Sequence, residues 1–314
     1  MTVSDLQIRL DAYLALREAL GIRTKPIKLQ LQSFVKYLEL HASGEPIRAC
    51  LAVDWACTGP TLSGKSTRLS VARGFLRYLK ASLPETEIPD SNLIAAPRRT
   101  VPYLFSALEI GKVLEAAGHL RPPRSLRPHT HMTLFGLLAC TGMRPSEATK
   151  LLVSDVQLDE TPPRLLVTDT KFKKSRWVPL HYTTAEQLRH YAELRRKKKY
   201  DGLSDYFFVS EQGGKLHYGV LDRTFQRLLR QVEISPSPGQ RRPTLHSFRH
   251  SFAVQRLRQW YEQGADVRAL APNLSIYLGH VDPSTSYWYL TATPELLGAA
   301  AQLFQDYTSQ GGGK

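Results

Sequence analysis

The chain has 314 residues, 42% of them hydrophobic and 22% charged, and its 42 Lys and Arg against 28 Asp and Glu leave a formal charge of +14. That length suits two domains or one large one with its own core, and the charge favours a polyanionic partner, nucleic acid ahead of an anionic membrane. The chain has no long uncharged apolar run, and its opening MTVSDLQIRL has neither the charge nor the apolar stretch of a signal peptide, so the expectation is a soluble, cytoplasmic, nucleoid-associated protein with no membrane partner.

In chain order, residues 1–90 read as four helices on apolar periodicity and capping signals. The first follows Ser4 and carries Leu6, Leu10, Leu14 and Leu20; the second runs from Pro26 to Leu40 with Leu29, Phe34, Val35 and Leu38 on one side. The third covers Ile47 to Cys57, and the fourth starts after Ser63 and turns Leu69, Val71, Phe75, Leu76 and Leu79 toward a core. The proline-rich stretch SLPETEIPDSNLIAAPRRTVPYL then marks an exposed linker, assigned to residues 91–103, with the second domain at 104–314. Within that domain ALEIGKVLEAAG and HMTLFGLLAC are helical, the latter ending at Thr141 and Gly142, and another helix begins after Arg144. RLLVTD and SRWVPLH suggest a hairpin around KFKK, YFFVS adds a strand, and the remainder is helical with breaks at SPSPGQRRP and APN. Cys50, Cys57 and Cys140 form no CxxC pair and read as reduced thiols buried in packing.

Residues 59–66, GPTLSGKS, match G-x-x-x-x-G-K-[ST] letter for letter, which raises a nucleotide-binding alternative. A phosphate loop needs a strand running into its glycines and a helix leaving them, and residues 1–90 show no alternation of strand and helix. The favoured reading has Gly59 and Pro60 turning the chain, Ser63 capping the next helix, and Lys65, Arg68 and Arg73 making that helix basic. His246 and His250 have the spacing of helical zinc ligands, but HSFRH lacks the Glu of H-E-x-x-H and has Arg249 between them. His129 and His131 fall in a loop rich in proline and arginine and read as solvated, as does the charge run RRKKK at 195–199.

Four separated stretches carry chemistry together: TGMRPSEATKLL, TKFKKSRWVPL, TLHSFRHSFA and YLGHVDPSTSYWYL, in that order. They resemble the tyrosine recombinase (phage integrase) family, whose catalytic domain has an arginine box, a lysine hairpin, an H-x-x-R helix, an L-G-H turn and a tyrosine shortly after. The resemblance covers residues 100–295, and the helical N-terminal region is similar in kind to the family's core-binding domain. It implies a mainly α protein, an N-terminal helical bundle followed by a mostly helical α+β catalytic domain with a small β-sheet.

The resemblance also implies a site-specific recombinase that cleaves and rejoins double-stranded DNA through a 3′-phosphotyrosyl bond, as a tetramer, with no cofactor or metal and with accessory recombinases as further partners. Arg144 and Arg249 are then the phosphate-binding arginines, His246 and His280 the two histidines, and Glu147 a supporting residue that orients Arg144. Lys171 corresponds to the family's general-acid lysine, although the turn lacks the family's glycine. Its register with Arg176, Val178, Pro179 and Leu180 favours it over Lys173 and Lys174. Tyr289, about nine residues beyond His280 as in the family, is the nucleophile in preference to Tyr287. A catalytically inactive DNA-binding protein of the same fold is the other alternative. The apolar stretch PELLGAAAQLFQDY can pack in its own chain or on a neighbouring subunit.

Overall fold

The structure is a computed structural model that describes residues 3–42, 46–95, 101–168, 175–198, 200 and 202–279. Its contacts divide the chain into two compact units, Met1–Arg99 and Thr100–Lys314.

The first unit is a bundle of α1 (Val3–Ala19), α2 (Lys25–His41), α3 (Ala49–Cys57) and α4 (Leu62–Lys80). Its core gathers Leu6, Leu10, Leu31, Phe34, Trp55, Phe75 and Leu76, with the Phe34 and Trp55 rings 4.9 Å apart. Three details differ from the sequence expectation. Leu20 and Leu29 are exposed, because α1 ends at Ala19 and the inward stripe of α2 passes through Leu31 instead. Val71 packs against that core but is only half-buried, whereas its neighbour Ala72 is fully buried. The cap of α4 is Thr61, whose hydroxyl accepts from the Gly64 amide at 3.1 Å, so Ser63 already lies inside the helix.

That geometry also answers the glycine-lysine motif. The segment running into Gly59 is helix α3, not a strand, so the phosphate-loop alternative lacks the element that would aim its amides. Gly59 serves as a tight turn: a Cβ there would lie 3.2 Å from the Ala56 carbonyl and 3.2 Å from the Lys65 amide. Cys50, Cys57 and Cys140 are all exposed free thiols, contrary to the buried placement expected.

The second unit begins with a segment that is not a plain linker: Tyr103 and Phe105 are buried, and the Phe105 amide donates to the Ser251 hydroxyl at 2.7 Å. Ile94, at the other side of the proline-rich stretch, is buried against the first unit's core. Then come α5 (Ala107–Gly118), opened by a Ser106/Glu109 capping box, and α6 (Arg127–Thr141), closed by Gly142 in the left-handed conformation at φ +63°. A single turn, α7 (Pro145–Ala148), precedes a three-stranded antiparallel sheet of β1 (Val156–Gln157), β2 (Arg164–Val167) and β3 (Arg176–Pro179) in that order. Leu165 pairs with Val178 and Val167 with Arg176, which points Leu165, Val167 and Val178 into the core. The short β1 has no sequence signature, and YFFVS makes isolated bridges rather than a strand.

Four longer helices complete the described part: α8 (Tyr182–Lys197), α9 (Tyr218–Gln231), α10 (Ser247–Glu262) and α11 (Val267–Leu278). Helix α11 runs straight through the expected break at APN, with Pro272 inside it. Phe105, Phe135, Phe225 and Phe248 form the aromatic centre of the core, with ring centroids 5.0–6.1 Å apart. Arg195 is 4% exposed rather than solvated, because its guanidinium donates to the Ser204 carbonyl at 2.6 Å. His131 is likewise buried in α6, its Nδ1 2.8 Å from the Arg127 carbonyl, and His129 is half-buried on the same helix.

The cap assignment is testable by denaturation. Thr61→Ala should cost about 1 kcal/mol, whereas Ser63→Ala should stay within about 0.5 kcal/mol of the parent; equal losses would mean that the two residues share the capping.

Candidate active site

Four of the expected site residues lie among the described ones, and they come together from two elements, α7 and α10. Arg144 stands at the start of α7 in an extended conformation (φ −70°, ψ 140°), directly after the left-handed Gly142 has turned the chain out of α6. That turn admits no side chain: a Cβ on Gly142 would lie 2.6 Å from the Phe252 ring and 3.0 Å from Leu278. His246 occupies the N-cap position of α10 without a side-chain cap bond and Arg249 follows within the first turn, so both project from the same end of that helix. Lys171, His280 and Tyr289, and with them Tyr287 and the C-terminal stretch, lie outside the described residues.

Glu147 is the acidic centre of the group and is 8% exposed. Its Oε1 accepts from Arg144 Nη1 at 2.7 Å, and its Oε2 accepts from the Arg144 amide at 3.0 Å. A second guanidinium, not among the sequence-assigned residues, completes the set: Arg176 on β3 donates from Nη1 to Oε1 at 3.1 Å and from Nη2 to Oε2 at 2.8 Å. Burial alone would raise the Glu147 carboxyl, but the hydrogen bonds and charge of Arg176, followed by those of Arg144, hold it at about 2. Sequence reading used Arg176 only to set the hairpin register. Its signal was present in the strand alternation, which turns Arg176 to the same side as Val178, away from the exposed Trp177.

The three arginines converge on one structure, the C-terminal end of α11. Arg176 Nε donates to the Tyr277 carbonyl at 2.9 Å, Arg249 Nη2 to Leu278 at 2.7 Å, and Arg144 Nη2 to Gly279 at 2.8 Å. The last carbonyls of a helix have no partner within it and carry its partial negative charge, so three guanidiniums there are electrostatically matched. Arg249 also donates from Nη1 to the Gly142 carbonyl at 2.9 Å and is 1% exposed. Arg144 remains half-buried, with 27% of its side chain accessible.

His246 has an exposed edge, yet loss of hydration around its ring and the charges of Arg249 and Arg144 push its pKa down to about 4. His250, whose ring meets that of His246 edge to face at 4.9 Å, is lowered to about 3 by burial, then by His246 and Arg249. Both imidazoles are therefore neutral near pH 7. A neutral imidazole beside guanidiniums can donate an N–H to an anion, and an anion in the cluster would raise its pKa. The arrangement is a strongly cationic pocket with one ionised carboxylate, suited to binding a phosphate and to stabilising charge that develops on it.

Comparison with known proteins agrees in sequence and in fold. The sequence model of the phage integrase family matches residues 110–295. The putative integrase/recombinase y4rB of Sinorhizobium fredii (strain NBRC 101917 / NGR234) is 38% identical over 307 residues, covering 95% of this chain and 96% of its own. Among solved structures, XerH site-specific recombinase bound to palindromic difH substrate aligns with a TM-score of 0.65 at 20% identity, over 97% of this chain and 85% of that one. The lambda integrase tetramer bound to a Holliday junction aligns with a TM-score of 0.61 at 18% identity, over 90% of this chain and 76% of that one. At those identities the structural matches speak for the fold. Among the described residues no helix is long and apolar enough to cross a membrane.

The lowered pKa values fix how stability responds to acid. His250 titrates at about 3 when folded and near 6.5 otherwise, so below 6.5 the unfolded chain binds a proton that the folded chain refuses. Glu147, at about 2 against 4.5, contributes stability above 4.5 that is lost as the pH falls toward 2. Both act in the same direction, so the melting temperature should fall from pH 6.5 downward, and His250→Asn should flatten the upper part of that decline. A profile identical for the two proteins would remove His250 from the acid response.

Proposed function

The chain belongs to the phage integrase family and is a tyrosine site-specific recombinase, and from that premise we propose that it cuts and rejoins double-stranded DNA with Tyr289 as nucleophile. In this reading Arg144, Arg249, His246 and His280 bind the scissile phosphate, Lys171 serves as general acid, and Glu147 sets the direction of Arg144. The observation that carries it is the meeting of Arg144 and Arg249 on the Gly279 and Leu278 carbonyls, the two residues that precede His280 in the chain.

The chemistry follows from the groups. The Tyr289 phenol releases its proton to solvent as its oxygen attacks phosphorus, the bond to the 5′ oxygen breaks, and that oxygen takes a proton from Lys171. A 3′-phosphotyrosyl bond and a 5′-hydroxyl result, and attack by the 5′-hydroxyl of a partner strand reverses the step. The exchange conserves the phosphodiester, so it draws on no nucleotide triphosphate. Arg144, the more accessible arginine, offers the phosphate the N–H groups not engaged by Glu147 and Gly279, and His246 donates alongside it. Arg249 lies deeper, and a phosphate reaches it only by displacing part of its cover. The charge of +14 supplies affinity for the DNA backbone. A homotetramer on DNA, served by accessory recombinases in the cytoplasm, is the assembly this reading calls for, with residues 1–90 as the core-binding domain.

A nicked suicide duplex, from which the cleaved end diffuses away, tests the assignment. Tyr289→Phe should bind the duplex and form no covalent adduct, while Tyr287→Phe should still form it; a nucleotide found on Tyr287 by mass spectrometry would overturn the choice. Arg144→Ala should retain most DNA affinity yet cleave slower by about two to three orders of magnitude, the scale of losing one charge-stabilising donor.

A further inference from the structure

Building on that functional reading, we propose that Arg176 is a positioning residue for strand cleavage: its guanidinium locks strand β3, the Arg144/Glu147 pair and the end of α11 into one unit that sets both the charge and the direction of the phosphate-binding groups. Arginine presents five donors in a rigid planar fork, and here all three nitrogens are used. Nε takes the Tyr277 carbonyl, while Nη1 and Nη2 take the two oxygens of Glu147. The bonds span three elements: β3, α7 and α11.

Two observations make this more than a structural ion pair. The first is the charge balance around Glu147. If Arg144 were its sole partner, the carboxylate would neutralise the guanidinium that the phosphate needs. With Arg176 bidentate on the same carboxylate, the group of three carries one net positive charge, and that charge remains available on the more exposed Arg144. The second is Gly279. It caps α11 at φ +68°, and a Cβ there would lie 2.7 Å from Arg176 Nη1. The helix end therefore rests directly on the guanidinium, which fixes where the chain leaves α11 toward His280. At its other side Arg176 pairs with Val167 at the base of the hairpin whose sequence carries Lys171. Lysine has one nitrogen and cannot make these contacts together.

The charged and titratable groups facing Glu147 are Arg144 at the start of α7, Arg176 on β3 and His246 on α10. Removing Arg176 leaves the burial of Glu147 opposed by Arg144 alone, so its carboxyl pKa must rise. Cleavage should then acquire a pH dependence: as the carboxyl takes up its proton it stops neutralising Arg144, so activity rises with falling pH where the parent, with Glu147 held at about 2, shows no change from this group.

Single-turnover cleavage of the suicide duplex from about pH 5 to about pH 9 is the test, with duplex affinity and melting temperature measured in parallel. Arg176→Ala should bind DNA close to normally and cleave on the order of 10²-fold slower, the scale of a small misplacement of reacting groups. It should show that rise toward low pH, and Arg176→Lys should recover only part of the rate. Adding Glu147→Gln to Arg176→Ala should raise cleavage about tenfold over Arg176→Ala, because the uncompensated buried charge is gone. Parent-like cleavage by Arg176→Ala would overturn the proposal. So would a loss that merely follows the melting temperature, with an unchanged pH profile and no recovery in the double variant. Arg144→Ala in the same assay separates the two levels: if it cleaves normally, the functional reading falls as well, whereas an inactive Arg144→Ala beside a normal Arg176→Ala sinks only the inference about Arg176.

Discussion

A carboxylate only 8% exposed cannot stay ionised unless positive charge is brought to it, and in this protein the group in question is Glu147. Two guanidiniums from different elements answer it, and the geometry of the candidate site follows from that requirement. Arg144 reaches Glu147 from three residues away, so the pair could form in any short turn. Arg176 reaches it from 29 residues further along, so the sheet must be folded onto α7 before the carboxylate is satisfied. Removing one partner from a buried ion pair generally costs about 3–5 kcal/mol, which ties the integrity of the cationic pocket to the stability of the second unit.

The same logic extends to helix α11. A helix end with unpaired carbonyls is costly to bury, and three arginines at Tyr277, Leu278 and Gly279 remove the cost. The arginines are in turn held apart from one another by the carbonyls and by Glu147, which lets several like charges share a small volume. Glycines make the approach feasible: Gly142 and Gly279 both lie at positive φ, and at both a side chain would strike a neighbour within 3 Å. The donors proposed to bind the phosphate are thus also the ones that cap the end of α11.

Misplaced expectations have consistent causes. Leu20 and Leu29 are apolar residues at positions the periodicity permits but the bundle does not use, since each helix buries one stripe. Arg195 and His131 looked solvated because a charge run or a proline-rich neighbourhood usually is; the fold instead gives each a backbone carbonyl at 2.6 and 2.8 Å. Pro272 looked like a break, yet the helix continues through it. The glycine-lysine motif at 59–66 was discounted for want of a strand, and a helix indeed precedes it.

What the sequence determined by itself was the family, the helical character and which residues share a turn, because these are carried by local pattern: apolar periodicity, a left-handed glycine before Arg144, the H-x-x-R spacing that sets His246 and Arg249 in one turn. Glu147 was legible for the same reason, three residues from the arginine it holds. Only the tertiary structure decided that Arg176 belongs with them, that Arg249 is buried, and that the three arginines meet on the end of α11. Those facts depend on contacts between residues 29 to 135 positions apart. A one-dimensional pattern records which side chains share a turn or a strand face; which carbonyl a guanidinium finishes on is set by how the sheet and helices pack, and that packing is specified by the whole core rather than by any motif.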